Sequence, residues 1–249
     1  MALPKINETL NFNMIIPSTG QRVKYRPYLV KEEKILLQAF ESKDMHMCLS
    51  AMADTLNACV DPKANLNVEQ LATFDIEFMF TQLRSKSVGE TSTIMISCTS
   101  LIDGINPKRT TCGEQNEYTI DLDQLSVSTA DGSNIVVITP EISVEMKYPT
   151  YETMIREGVS QAEEKKSTNV IELLASCIGA VLTQDERIDS KNESLEDMIA
   201  FVDNMTANQL KVMTDFLENM PALKHNAEFE CTKCEKKNSV ELKGLSDFF

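Results

Sequence analysis

Tryptophan is absent from this 249-residue sequence, and histidine occurs twice, as His46 and His225. Two separated histidines exclude an HExxH metalloprotease helix. Walker, GxSxG and GxGxxG loops are missing too, so there is no phosphate cradle, nucleophile elbow or dinucleotide turn to build chemistry on. Neighbouring acids such as Glu32-Glu33 and Glu163-Glu164 point apart on a helix and read as solvated surface. No catalytic residue, small-molecule substrate or enzymatic activity is expected.

Basic charge is also scarce. With 24 Lys and Arg against 38 Asp and Glu, the formal charge is −14. Phosphate neutralisation supplies most non-specific nucleic-acid affinity, so nucleic acid is not an expected partner. Anionic membrane surfaces are disfavoured for the same reason. Long apolar runs are lacking: Leu173 to Leu182 falls far short of the roughly 20 residues that span a bilayer. Met1 to Asn7 has no apolar core of a secretory signal, so the chain is expected to stay soluble where it is made.

What remains is ordinary globular composition, 42% hydrophobic with 8 Gly and 8 Pro. The pattern along the chain predicts an α+β protein: an N-terminal β-hairpin, a helical body and an inserted antiparallel β-rich segment of zinc-ribbon-like character. Leu10, Phe12, Met14 and Ile16 alternate, Pro17-Ser18-Thr19-Gly20 turns, and Val23 with Tyr25 returns. Helices are expected over 31–40 and 44–60, and from a capping box at Asn67-Val68-Glu69-Gln70. Residues 1–88 form the first unit. Residues 89–149 carry strand patterns at 93–98, 117–122, 125–129, 134–139 and 141–147, with a hairpin turn at Asp131-Gly132. Residues 150–249 return to helices at 150–159 and 168–183, an exposed connection over 185–194, and a helix opened by the capping box Thr206-Ala207-Asn208-Gln209. A cysteine-bearing tail, 229–249, follows, and 89–149 is expected to pack with it.

Seven cysteines without an export signal argue against a disulfide scaffold. Cys48, Cys59 and Cys177 sit on apolar helical faces, as small core residues do. Cys231-Thr232-Lys233-Cys234 has metal-ligand spacing, because two thiolates two residues apart grip one tetrahedral zinc from a tight turn. Cys98, Cys112 and His225 are the candidates to complete a site. Cys112-Gly113-Glu114-Gln115-Asn116, followed by Tyr118, Ile120 and Leu122, echoes Cys234-Glu235-Lys236-Lys237-Asn238, followed by Val240 and Leu242. Counting back, Arg109 falls where Cys231 would need a counterpart. Three readings stay open: structural zinc on Cys98, Cys112, Cys231 and Cys234, a metal-free ribbon, and a redox pair.

Two segments are candidates for partner binding. Pro27 fixes an extended exit from the hairpin and presents Arg26 between Tyr25 and Tyr28, residue types enriched in interface hot spots. Against this, the tyrosines could staple hairpin to helix while Arg26 pairs with Glu32 or Glu33. At the other end, Leu245, Phe248 and Phe249 are apolar enough to need a docking place, on this protein or on another. Thirteen methionines suit either a core or an adaptable partner surface.

The run from Ile15 through Pro17-Ser18-Thr19-Gly20 to Val23-Lys24-Tyr25-Arg26-Pro27-Tyr28-Leu29-Val30-Lys31-Glu32-Glu33-Lys34 resembles the opening of the baseplate hub proteins of T-even-type tailed bacteriophages. The cysteine pair followed by Gly244-Leu245-Ser246-Asp247-Phe248-Phe249 is similar to that family's ending. The resemblance follows the whole chain in order of elements, with its specific motifs at the two ends. It implies a non-enzymatic, chaperone-like assembly factor, a late protein acting in the host cytoplasm with other phage baseplate hub proteins as partners. The alternative it implies is a structural hub or central-spike subunit retained in the virion baseplate.

Overall fold

The computed structural model describes residues 10–42, 44–103, 109–128, 133–156 and 166–248. The predicted turn at Asp131-Gly132, the end of the helix predicted over 150–159, and Phe249 lie outside these residues. The fold is α+β, with helices set against small antiparallel sheets.

The first core gathers the N-terminal hairpin and three helices. Strands β1 (Phe12–Ile15) and β2 (Arg22–Tyr25) pair antiparallel, and their alternation buries Met14, Ile16, Val23 and Tyr25. Leu10, expected on that apolar face, is exposed. Helices α1 (Val30–Ser42), α2 (Met45–Cys59) and α3 (Thr73–Ser87) close over it. Asp44 caps α2 by accepting from the His46 N–H at 2.9 Å.

The capping box at Asn67 does not open α3. Its side chain makes no cap bond, and Val68–Gln70 forms a single 3-10 turn. The backbone of 71–73 is spent instead on a tertiary pairing. Ala72 bridges Thr150, and the Tyr151 N–H donates to the Leu71 carbonyl at 2.9 Å. Extended backbone there postpones the helix to Thr73.

The second core lies under a four-stranded sheet of order β11-β10-β9-β8, built from β8 (Ile135–Val137), β9 (Ser143–Met146), β10 (Ile178–Leu182) and β11 (Arg187–Asp189). Helices α5 (Lys166–Ser176), α6 (Leu195–Asp203) and α7 (Ala207–Glu218) cover it; α4 (Tyr151–Arg156) precedes them. Two expectations are corrected here. The helix predicted over 168–183 stops at Ser176, and 178–182 is a central strand. Ile178 and Val181 are β-branched, and a Cβ on Gly179 would lie 3.1 Å from the Glu145 carbonyl, a tight approach that favours glycine at the bulge between Ile178 and Ala180. The connection predicted over 185–194 supplies the edge strand β11. The Thr206 box does open α7, where Gln209 Oε1 accepts from the Thr206 N–H at 2.8 Å.

The third core unites distant segments. Strands β3 (Thr91–Ser97) and β6 (Gln115–Asp121) form one hairpin, carrying a smaller one of β4 (Leu101–Asp103) and β5 (Arg109–Thr111). Strands β12 (Leu223–Glu230) and β13 (Lys237–Lys243) form another, and β7 (Ser126–Val127) joins its edge. Ile96, Ile120, Leu122, Leu223, Ala227, Leu242 and Phe248 meet between the two. Residues 89–149 thus divide, the first part going to the C-terminal hairpin and the second to the sheet beneath α5–α7. Helix α3 joins two of the cores and reaches toward the other through Tyr148: Ile76 and Leu83 belong to the first, and Phe78 packs on the third. Phe74 meets Tyr148 edge-on at 5.2 Å, and Tyr148 stacks on Phe216 of α7 at 5.5 Å.

Burial on α3 sets a pH dependence. Glu77 lies beside the Leu245 N–H and Lys243; burial pushes its carboxyl up to about 7, against the pull of both. The folded state therefore holds a proton that the unfolded chain releases at its ordinary value of 4.5. Stability from this group is full below pH 4.5 and is lost as pH rises through about 7. Glu77→Gln is expected to flatten that part of the profile and raise the urea midpoint above pH 7. An unchanged profile would show that Glu77 ionises freely in the fold.

Candidate metal centre and partner-facing segments

Each hairpin of the third core ends in a cysteine turn. At the C-terminal one, the Glu235 N–H donates to the Cys231 carbonyl at 2.9 Å and the Cys231 N–H to the Lys236 carbonyl at 3.0 Å. Glu235 takes φ 56° to close it. At the other, the Gly113 N–H donates to the Cys98 carbonyl at 3.0 Å and the Cys98 N–H to the Glu114 carbonyl at 2.8 Å, with Gly113 at φ 66°. The turns are the same object, with Cys98 matching Cys231 and Cys112 matching Cys234.

This corrects the sequence register that set Arg109 against Cys231. Residues 101–111, carrying the β4/β5 hairpin, are inserted within the first turn. The Cys112 N–H donates to the Ser100 carbonyl at 2.9 Å and seals the base of the insert. A legible signal existed in the dipeptides Cys98-Thr99 and Cys231-Thr232, which align the turns from their first cysteines rather than their last.

The asparagines four residues beyond Cys112 and Cys234 lock the turns to one another. Asn116 Oδ1 accepts from the Thr232 N–H at 2.8 Å and its hydroxyl at 3.1 Å. Asn238 Oδ1 accepts from the Thr99 N–H at 3.1 Å and its hydroxyl at 3.4 Å. Each amide also donates within its own turn, Asn116 to the Glu114 carbonyl at 2.9 Å and Asn238 to the Lys236 carbonyl at 2.8 Å. Both asparagines are buried.

The four sulfurs converge, all lying within 4.8 Å of one another. Cys98 Sγ is 3.7 Å from Cys234 Sγ, and Cys112 Sγ is 3.9 Å from Cys231 Sγ. Cys98 and Cys231 are buried, Cys112 and Cys234 half-buried, and all four are free thiols. The N–H groups of Cys234 and Lys233 hold the Cys231 thiol down at about 6 against desolvation. His225 is engaged elsewhere, with its Nε2 3.0 Å from the Tyr118 hydroxyl. Cys48 donates to the Ala39 carbonyl at 3.2 Å, while Cys59 and Cys177 are buried.

The candidate partner segments are placed as follows. Tyr25 is buried, its hydroxyl reaching the Gln82 carbonyl at 3.5 Å. Arg26 donates to Glu32 at 2.8 Å, to the Ala58 carbonyl at 3.0 Å and to the Pro27 carbonyl at 2.9 Å. Burial alone would raise the Glu32 carboxyl, but Arg26, the Leu29 N–H and Lys31 hold it below its usual range. The Tyr28 N–H donates to Ser87 Oγ at 3.0 Å. At the other end, Leu245 packs on the first core, and Phe248 is fully buried in the third with its carbonyl accepting from Ser92 at 2.8 Å.

An apolar ridge that the sequence reading did not single out lies on α1. Val30, Leu37 and Phe40 are 65%, 53% and 47% exposed. With half-buried Glu33 they follow a three-four-three spacing, which puts them on one line of the helix, beside the buried line of Leu36 and Ala39.

A family model described as T4 bacteriophage base plate protein matches residues 8–249. No curated protein and no solved structure matches the chain. Among the described residues, no helix is long and apolar enough to cross a membrane.

Proposed function

The chain belongs to the T4 bacteriophage base plate protein family, and from that premise we propose that it promotes assembly of the central baseplate hub by protein–protein contact, without bond chemistry of its own. Other phage baseplate proteins are its partners, and the work is done in the cytoplasm of the infected cell. The observation that carries this reading is the α1 ridge. Val30, Leu37 and Phe40 stand in water at the spacing by which one helix seats against another. Helix-in-groove recognition uses anchors of this kind, and a helix of a second baseplate protein is the occupant that fits.

Leu37→Glu with Phe40→Glu tests the reading. Both positions are exposed, so the double variant is expected to keep the wild-type melting temperature. A hot-spot loss of about 2 kcal/mol corresponds to a fall of roughly 30-fold in hub assembly when the variant complements a phage lacking its own copy. Undiminished assembly would defeat the ridge as the working surface. Mass spectrometry of purified virions separates an assembly factor from a retained subunit. Absence from particles supports the first, and stoichiometric peptides the second.

A further inference from the structure

We propose that Cys98, Cys112, Cys231 and Cys234 bind one structural zinc ion as a tetrathiolate that cross-links the β3/β6 hairpin to the β12/β13 hairpin. This goes beyond the role in hub assembly and stands without it. Zinc bonds of about 2.3 Å in tetrahedral array place sulfurs about 3.8 Å apart. Two of the separations, 3.7 Å and 3.9 Å, bracket that value, each pairing a sulfur of one turn with a sulfur of the other, and all four sulfurs lie within 4.8 Å. An ion among them would therefore join segments far apart in the chain.

The surroundings are those of a metal turn. The Lys233 N–H points at Cys231 Sγ from 3.4 Å, and Asn116 Nδ2 lies 3.8 Å from the same sulfur. Donors aimed at a sulfur stabilise it as thiolate and fix its direction toward the ion. Both turns use a left-handed residue immediately after the second cysteine, Gly113 and Glu235, which turns the backbone so that both sulfurs of a pair face inward. The site is closed, with four protein ligands and no open position for water or substrate, which is the coordination of structural zinc rather than catalytic zinc. Sulfur-only ligation selects zinc or iron over magnesium, calcium or manganese. Two ligands are buried, and Asn116 and Asn238 hold the two turns in register with one another.

Binding releases the thiol protons and leaves zinc formally at +2 beside four thiolates, a net −2. Lys233 Nζ lies 3.2 Å from Glu114 at the rim, and Lys236 Nζ donates to the Leu101 carbonyl at 2.6 Å.

The full chain, purified without a metal-binding tag under reducing conditions, is expected to contain one zinc per chain by elemental analysis. Exchange into cobalt(II) is expected to give the intense visible bands and thiolate charge-transfer absorption of a tetrahedral sulfur site. Cys112→Ser, at a half-buried ligand, is expected to lower the zinc content at least tenfold and abolish the charge-transfer absorption. Wild-type protein that is folded yet metal-free after incubation with stoichiometric zinc would overturn the proposal. So would stoichiometric iron in place of zinc, or full zinc content in Cys112→Ser. Should the variant fail to fold, the wild-type stoichiometry and cobalt spectrum decide the matter alone.

Discussion

Phe248→Ala is expected to destabilise the protein by about 3–5 kcal/mol, the usual cost of emptying a buried phenylalanine site. The ring is fully buried among Leu223, Leu242 and Ile120, and Phe78 of α3 packs against the same cluster. Little can collapse into the gap. The ring sits between a sheet face and a helix, and the Phe248 carbonyl is held by Ser92 at 2.8 Å. Phe248→Leu keeps most of the volume and is expected to cost less than half as much. Urea unfolding of the two variants checks both numbers; equal and small losses would mean that the ring contributes no core packing.

The second large effect is expected at Asn238. Replacing it by alanine leaves the Thr99 N–H and the Lys236 carbonyl without their partner in a half-buried turn. The Ser100 hydroxyl, 3.1 Å from Asn238 Oδ1, loses its acceptor as well. Thr99 and Lys236 are exposed, so water takes up part of the loss; at about 0.5–1.5 kcal/mol for each of the three bonds, a total of about 2–4 kcal/mol is expected. Asn116→Ala breaks the matching lock on the other turn. The two locks share one cage, so the double variant should depart from the sum of the singles by more than about 0.5 kcal/mol. Strict additivity in a double-mutant cycle would show that the turns are held independently.

Much of the fold was legible because alternation reports a buried face. Met14, Ile16, Val23 and Tyr25 lie on the inward face that the period-2 pattern assigned them. The Thr206 box was legible because capping is local chemistry, contained in Thr206 and Gln209. The Asn67 box has the same spelling but fails, because the backbone beyond it pairs with Thr150, a residue that no local window contains. Strand β10 was hidden for a related reason. Ile178, Val181 and the cysteine before them suit a helix face equally well, and the close approach of Glu145 that favours Gly179 is a tertiary fact.

At the cysteines, composition and spacing disclosed one turn, and an echo pointed to the other. The pairing of Cys98 with Cys112 was obscured by the inserted 101–111 hairpin, which stretches a two-residue gap without altering the turn that brackets it. The reach of Asn116 to Thr232 could not be read, since it needs two hairpins facing one another across the site. The α1 ridge was missed because a buried and an exposed apolar residue look alike in sequence.

The bond from Ser92 to Phe248 closes a span of 156 residues, and this has a consequence for the order of events on the ribosome. The β3/β6 hairpin and its two thiols emerge early, whereas β12 and β13 come only after the whole second core has been made. At about 5–20 residues per second, synthesis of the intervening stretch takes on the order of 5–20 seconds. Throughout that interval the nascent chain carries an unclosed half of its third core, with one cysteine turn waiting for the other. Newly made protein therefore matures last at the point where its two most distant hairpins meet.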